Sequence, residues 1–253
     1  MALVSQDEKA IYNLAFMTEN IERIDSWIFD ERYYRWTSKT GEEMYLPSVT
    51  YILGSAYPQD FGLTQWRGDV GNKRAEEILE ETAADGSYTH AAIERILKGD
   101  KVERGEIEGQ FSPRRSLKIM RCLKAFLNWH EEVKPTVLST EYIVKNLDDK
   151  YAGTVDLKCK IGDETYIVDF KTSKSIHASH KAQICAYGKA DPVDHVAILH
   201  LGNTTKKKYS FLVLDTEERQ QYVNEFEQTN KLFQTLNPLA APNSETFPDS
   251  FSL

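Results

Sequence analysis

Residues 151–187 read YAGTVDLKCKIGDETYIVDFKTSKSIHASHKAQICAY. The pattern predicts two strands, 153–161 and 164–172, joined by the two-residue link Gly162-Asp163. A glycine-containing link of this length is a hairpin signal. With that turn Ile161 faces Glu164 and, counting outward, Asp156 faces Asp169. Facing side chains on one side of an antiparallel pair have Cβ atoms about 4.5–5.5 Å apart, where like charges repel. Lys171, two residues beyond Asp169, shares its face. Two opposed carboxylates beside a lysine suit a bound divalent cation. A surface Asp–Asp–Lys ion cluster is the alternative, because ion networks also arise without a functional role. A short loop then leads to a helix over 178–189, on which Gln183 and Tyr187 stand four residues apart on one face.

Upstream, residues 136–145 predict a strand and 146–150 a polar turn. If that turn is centred between Asp148 and Asp149, Glu141 faces Asp156. Glu141, Asp156 and Asp169 then line up across three strands on one face. Ser112-Pro113 opens a long helix to Val133, with Leu117, Met120, Leu123, Ala125, Phe126, Leu127 and Trp129 as its buried side and Pro135 as its stop. Residues 101–111 read as a mobile charged loop. Ser87 caps a helix over 88–97 that Gly99 ends, and His90, Ile93 and Leu97 share its inner face. By pattern alone an inward histidine is a core residue before it is a ligand.

Further toward the N-terminus, residues 63–81 predict another helix and Ser48 caps a short one through Leu53. Residues 32–46 form an aromatic hairpin, and 7–29 predict a helix from Ile11, Leu14, Ile21, Ile24 and Ile28. The aromatic residues Tyr33, Tyr34, Trp36, Tyr45, Tyr51 and Tyr57 read as packing for the hairpin, with stacking on unpaired bases as the alternative. Past the central helix, 196–199 is a buried strand, 203–208 a basic turn and 209–214 a return strand. Asp215 caps a last helix to Leu236. Residues 237–253, with three prolines, read as a loose tail. The order of elements is that of an α/β protein with a mixed sheet.

The chain has 253 residues, 41% hydrophobic and 28% charged, an ordinary globular balance. Neither a bilayer-length apolar run nor a signal-peptide pattern is present, so a cytoplasmic protein is expected, without a membrane partner. Cys122, Cys159 and Cys185 lie far apart without CxxC spacing and read as buried thiols. A net charge of −8 argues against a non-specific nucleic-acid coat. Local basic clusters remain, chiefly Arg114, Arg115, Lys118, Arg121 and Lys124, which read first as a solvated helix face.

Gly153-Thr154-Val155-Asp156, Asp169-Phe170-Lys171 and Gln183-Ile184-Cys185-Ala186-Tyr187 together resemble the PD-(D/E)XK nuclease superfamily. Within it they are most similar to the RecB-like exonuclease branch, with its ordered GxxD, DxK and QxxxY motifs. Residues 47–53, 63–66, Gly71, 86–90 and Ile93-Glu94 resemble the N-terminal region of phage exonucleases and of the mitochondrial genome-maintenance exonuclease. The resemblance spans roughly residues 45–215. It implies a restriction-endonuclease-like core, a mixed central sheet flanked by helices, with a helical N-terminal region. The expected organisation is 1–111 as a helical and hairpin region forming DNA-binding walls, 112–236 as the nuclease core and 237–253 as a flexible tail.

Carried over position by position, the resemblance implies catalytic roles for Asp156, Asp169, Lys171, Glu141, Gln183 and Tyr187. It implies metal ligation by Asp156, Asp169, the Phe170 backbone carbonyl, His90 and Glu141. The expected cofactor is Mg²⁺ or Mn²⁺, with no iron–sulfur cluster, because the three cysteines do not match the four of cluster-bearing relatives. The expected activity is exonucleolytic hydrolysis of DNA at ends or in single strands, in recombination, repair or replication, in a bacterial or phage-infected cell. A helicase or single-strand-binding protein is the expected partner, since no Walker A loop is present. Alternatives are a structure- or sequence-specific endonuclease of the same superfamily and a non-catalytic DNA-end-binding subunit.

Overall fold

The computed structural model describes residues 19–25, 31–58, 61–202 and 205–242. Residues 20–25, expected to be helical, instead form strand β1 (Asn20–Asp25), antiparallel to β2 (Arg32–Thr37); the remainder of the expected 7–29 helix lies outside the described residues. The isoleucine spacing misled because β1 is only six residues long, and Ile21 packs with Tyr34, Trp36 and Leu46 across the sheet. β3 (Glu43–Pro47) completes a three-stranded antiparallel sheet. Tyr33, Tyr34 and Trp36 are buried, which bears out packing over base stacking for them, whereas Tyr45 is exposed. Ser48 accepts a hydrogen bond from the Tyr51 N–H at 3.0 Å and so caps helix α1 (Val49–Ala56).

The next helices divide differently from the expectation. α2 (Phe61–Val70) ends at Gly71, whose φ of +87° a side chain would resist, and α3 (Asn72–Leu97) then runs unbroken for 26 residues. Gly86-Ser87 is therefore not a connection, and Ser87 is not a cap. A Cβ on Gly86 would meet Thr172 Oγ1 at 3.3 Å, so this glycine answers to close packing within a helix. The expected loop 101–111 contains helix α4 (Arg104–Gln110), held by buried Ile107 and by the Arg95–Glu106 ion pair at 2.6 Å. α5 (Pro113–Val133) starts and stops as expected. Its inner face is Ser116, Ile119, Cys122, Leu123, Ala125, Phe126 and Trp129; Leu117 and Leu127 point outward.

The large sheet follows: β4 (Thr136–Asn146), β5 (Tyr151–Ile161), β6 (Glu164–Lys171), helix α6 (Ala178–Ala190), β7 (His195–Leu201), β8 (Tyr209–Val213) and helix α7 (Thr216–Leu236). Strand order is sequential, and every pairing is antiparallel except β6 with β7, the pair that α6 connects. Asp215 caps α7 by accepting from the Glu218 N–H at 2.8 Å. The first residues of the expected tail, 237–242, follow α7; residues 243–253 lie outside the described residues.

One face of the sheet packs on α1, α6 and α7 through Val155, Ile167, Val196 and Ile198. The other packs on α3, α4 and α5 through Leu157, Val168, Ala197 and Leu199. β6 and β7 alternate regularly between these cores, but β5 does not. Tyr151 and Val155 join the first core, while Leu157 and Cys159, of the same parity, join the second. The alternation slips at Asp156.

Candidate functional site

That slip and the strands beside it build a pocket of about 630 Å³. Pairing of β5 with β6 runs in the expected register from Ile161↔Glu164 to Leu157↔Val168 and stops there. Asp156 and Asp169 come next, and they do not form a further rung. Asp156 Oδ2 instead accepts the backbone N–H of Phe170 at 2.6 Å, so a carboxylate takes the place of a ladder carbonyl. On the other side, β4 and β5 keep the expected register over 139–146, with Thr140↔Leu157 and Tyr142↔Val155 flanking Glu141 and Asp156, and shift by one between Val137 and Ser139. Glu141 lies between those rungs in a left-handed conformation, φ +45°. For a non-glycine residue that costs on the order of 1–3 kcal/mol. It is consistent with the slip, because a regular rung at this position would continue the alternation.

Asp169 points toward α6. Its Oδ1 accepts from Gln183 Nε2 at 3.2 Å, and Lys171 Nζ pairs with its Oδ2 at 2.7 Å. Lys171 also donates to Gln183 Oε1 at 2.9 Å, and Gln183 Nε2 donates to Tyr187 Oη at 3.0 Å. Helical i, i+4 spacing places Gln183 and Tyr187 together, as expected. The Tyr187 ring packs against the backbone at Gly153, where a Cβ would come within 2.3 Å of Cε1. This contact accounts for the glycine three residues ahead of Asp156.

His90 reaches the site from α3, its Nδ1 3.1 Å from Asp156 Oδ1, and its ring edge packs on Phe170, centroids 5.9 Å apart. Ligand atoms of His90, Glu141 and Asp156 all lie within 4.8 Å of one another. Of the five ligands expected, this brings three into one cluster and sets Asp169 beside it with Lys171 and Gln183.

Electrostatics in the pocket are strained. Burial pushes Asp156 upward, but the neighbouring His90, Lys171 and the Phe170 N–H outweigh it and hold the carboxyl below its ordinary value. Burial raises Asp169, with Lys171 opposing and the Asp156 charge adding to the rise. Burial and then Asp156 push Glu141 up to about 7. Burial would lower His90, yet the Asp156 carboxylate holds it above its usual value. Despite the short Lys171 contact, Asp169 Oδ2 has no donor in hydrogen-bonding geometry, and it is buried. A buried, donor-poor oxygen among two further carboxylates and an imidazole suits a hard divalent cation such as Mg²⁺ or Mn²⁺. The three thiols stand apart from this set: Cys122 and Cys159 are buried in one core and Cys185 in the other.

The sequence did not announce all of the wall. Arg23 from β1, Arg32 from β2, Thr154 and Glu94 also line the pocket. Thr154 Oγ1 hydrogen-bonds Tyr34 Oη at 2.8 Å, tying the small sheet to β5. Arg23 fell within the span read as helix, and no short motif links it to Arg32. Thr154 and Glu94 had a signal, as parts of the segments Gly153–Asp156 and Ile93-Glu94.

No protein-family model matches the chain, and no curated protein matches it. A solved structure titled "Crystal structure of SSO0001" superposes with a TM-score of 0.30 at 14% identity, covering 58% of this chain and 85% of that one. Likeness at that level carries no argument about fold or function. Among the described residues no helix is long and apolar enough to cross a membrane.

Proposed function

We propose that the chain is a metal-dependent deoxyribonuclease with a restriction-endonuclease-like core, of the PD-(D/E)XK type and RecB-like branch, acting as an exonuclease on DNA ends or single strands. The observation that carries this reading is the convergence of Asp156, Asp169, Lys171, Gln183 and Tyr187 with Glu141 and His90 in one pocket, from five different elements. Carboxylates perturbed by burial and by specific charge partners, gathered in one cleft, mark a functional-site candidate.

The residues divide by what their surroundings let them do. Asp156, Glu141 and His90, with Asp169 beside them, would hold Mg²⁺ or Mn²⁺; the Phe170 carbonyl would add a backbone ligand. Such an ion, when bound, lowers the pKa of a ligated water and neutralises phosphate charge. Lys171, fixed by Asp169 and Gln183, presents its ammonium to a phosphate oxygen or an attacking water. Gln183 holds Lys171 and Asp169 at once and so sets the angle between them. Tyr187, hydrogen-bonded to Gln183 and backed by Gly153, keeps that amide from turning.

The test is cleavage of end-labelled linear DNA and of a circular single strand, each with Mg²⁺ and with EDTA. The reading expects the linear strand to be degraded only with Mg²⁺ and the circle to stay whole. Cleavage of the circle would move the chain to the endonucleases. Full activity of Asp169→Ala or Lys171→Ala would remove this site from the chemistry altogether.

A further inference from the structure

A second hollow, about 440 Å³, opens between α3 and α5. Its walls carry five cationic side chains, Arg74, Arg114, Arg115, Lys118 and Arg121, against two carboxylates, Glu81 and Asp85. In a chain of net charge −8 this is a marked local reversal of sign. Its floor is organised. Asp85, only 4% exposed, pairs with Arg115 Nε at 2.6 Å and with Lys118 Nζ at 3.4 Å, and the Arg115 guanidinium lies 4.8 Å above the Phe111 ring. Arg114 and Arg121 make no ion pair among the described residues.

Two features point to a polyanion as the occupant. Arg114, Lys118 and Arg121 follow i, i+4, i+7 spacing and form a row about 10 Å long, which suits a chain of charges better than a single anion. The row also starts at the wrong end of its helix. The first turn of α5 has no acidic residue but two arginines, and Ser112 offers no side-chain cap. Positive side chains at a helix N-terminus add to the positive end of the macrodipole, and an external anion relieves both.

The position relates the hollow to the candidate site. Ile78, Thr82 and Asp85 line it, whereas Ala83, Gly86 and His90 line the site pocket. All six belong to α3, so the two hollows lie on opposite flanks of one helix, about 10 Å apart. Exposed Ala84 lies between the two linings, and the small side chains of Ala83 and Ser87 belong to the wall of the site pocket.

We infer that the α3–α5 cleft is a second backbone-binding subsite, which holds phosphates of the nucleic-acid strand beyond the segment in the site pocket. The inference rests on the nuclease reading for its polymer. The decisive measurement is equilibrium binding of a fluorescent 30-nucleotide single strand in EDTA, over a range of salt, for wild type, Arg114→Gln/Arg121→Gln and the control Lys206→Gln/Lys208→Gln. Each phosphate contact contributes about 0.7 to the slope of log affinity against log salt for single strands, so the cleft pair should lower the slope by about 1.4. The control removes the same charge from the turn ahead of β8 and should lower it by clearly less. Equal slopes for wild type and cleft variant overturn the subsite, and so does an equal drop in the control. Failure of wild type to bind overturns it as well. Wild-type cleavage in Mg²⁺ is read separately: cleavage with unchanged slopes leaves the nuclease reading standing without the cleft. No cleavage with a selective slope change removes the nuclease reading and leaves a nucleic-acid-binding cleft.

Discussion

Glu141 gives the sharpest test of how the pocket is balanced. Its folded-state pKa is raised from 4.5 to about 7, first by burial and then by Asp156. A carboxyl raised in this way lowers stability once it ionises. Below pH 4.5 it is protonated in both folded and unfolded chains and has no effect. Between 4.5 and 7 the folded chain keeps a proton that the unfolded chain has released, so stability falls as pH rises; above 7 the whole penalty is present. At about 1.4 kcal/mol per pKa unit the shift corresponds to roughly 3.4 kcal/mol, and partial solvent screening reduces this to about 2 kcal/mol. Glu141→Gln removes the charge while keeping the shape. In EDTA at pH 8 the variant should therefore melt about 4–8 °C above wild type, and near pH 4.5 the two should coincide. Taking the difference between the two curves removes groups remote from Glu141, while Asp156 and His90, which are coupled to it, contribute to the difference in the same pH range. With Mg²⁺ at about 100 times its dissociation constant, wild type should gain roughly 2.7 kcal/mol, and the variant much less. The assay is differential scanning fluorimetry across pH 4.5–8.5. Curves that stay parallel in EDTA would refute the argument that burial and Asp156 hold this carboxyl high.

Three further expectations follow from single contacts. Lys171→Ala should lower DNA cleavage by about 10²–10³-fold, the usual loss for one preorganised charged donor, with the circular dichroism spectrum unchanged. His90→Ala should raise the Mg²⁺ concentration for half-maximal activity roughly 10–100-fold, by removing both a ligand atom and the partner that fixes Asp156; an unchanged metal titration would take His90 out of the site. Gly153→Ala should destabilise by about 1–3 kcal/mol, because its Cβ would come within 2.3 Å of the Tyr187 ring. Urea denaturation with an unchanged midpoint would contradict that packing.

What the sequence revealed, and what it hid, follows from how local each signal was. The β5–β6 register was legible because a two-residue turn admits one pairing, and Leu157↔Val168 confirms it. The end of that pairing was not legible, since it depends on the Asp156 side chain taking a backbone N–H on the neighbouring strand. The β4 register was read correctly, but nothing in the identity of Glu141 announces a positive φ. Of two glycines, Gly71 was read inside a helix and Gly86 as a break, and the structure reverses both. Only Gly71 adopts a conformation that ends a helix, while Gly86 makes room for Thr172 from the distant β6 end. Leu117 and Leu127 fitted the apolar period of α5, but the partner surface turned out to be narrower than that period allowed. Arg23 and Arg32 reach the pocket from separate strands of the small sheet, a relation no linear spacing encodes.

The molecule contains its own comparison for the buried acids. Asp85 and Asp169 are both nearly inaccessible, at 4% and 3% exposure. Asp85 is satisfied in the way expected of a structural carboxylate: two cations from α5 donate to its two oxygens, one to each. Its pairing accounts for its burial. Asp169 shares its single cation with Gln183 and keeps one oxygen without an aligned donor, close to the acidic Asp156 and Glu141. Around it the chain departs from several local rules at once: a left-handed glutamate, a broken strand alternation and a glycine pressed under a tyrosine ring. A fold that can bring Arg115 and Lys118 to one buried aspartate has the means to do the same for another. It leaves the β4–β6 cluster short of positive charge instead, a deficit that under the proposed function a divalent cation among Asp156, Glu141, His90 and Asp169 would offset.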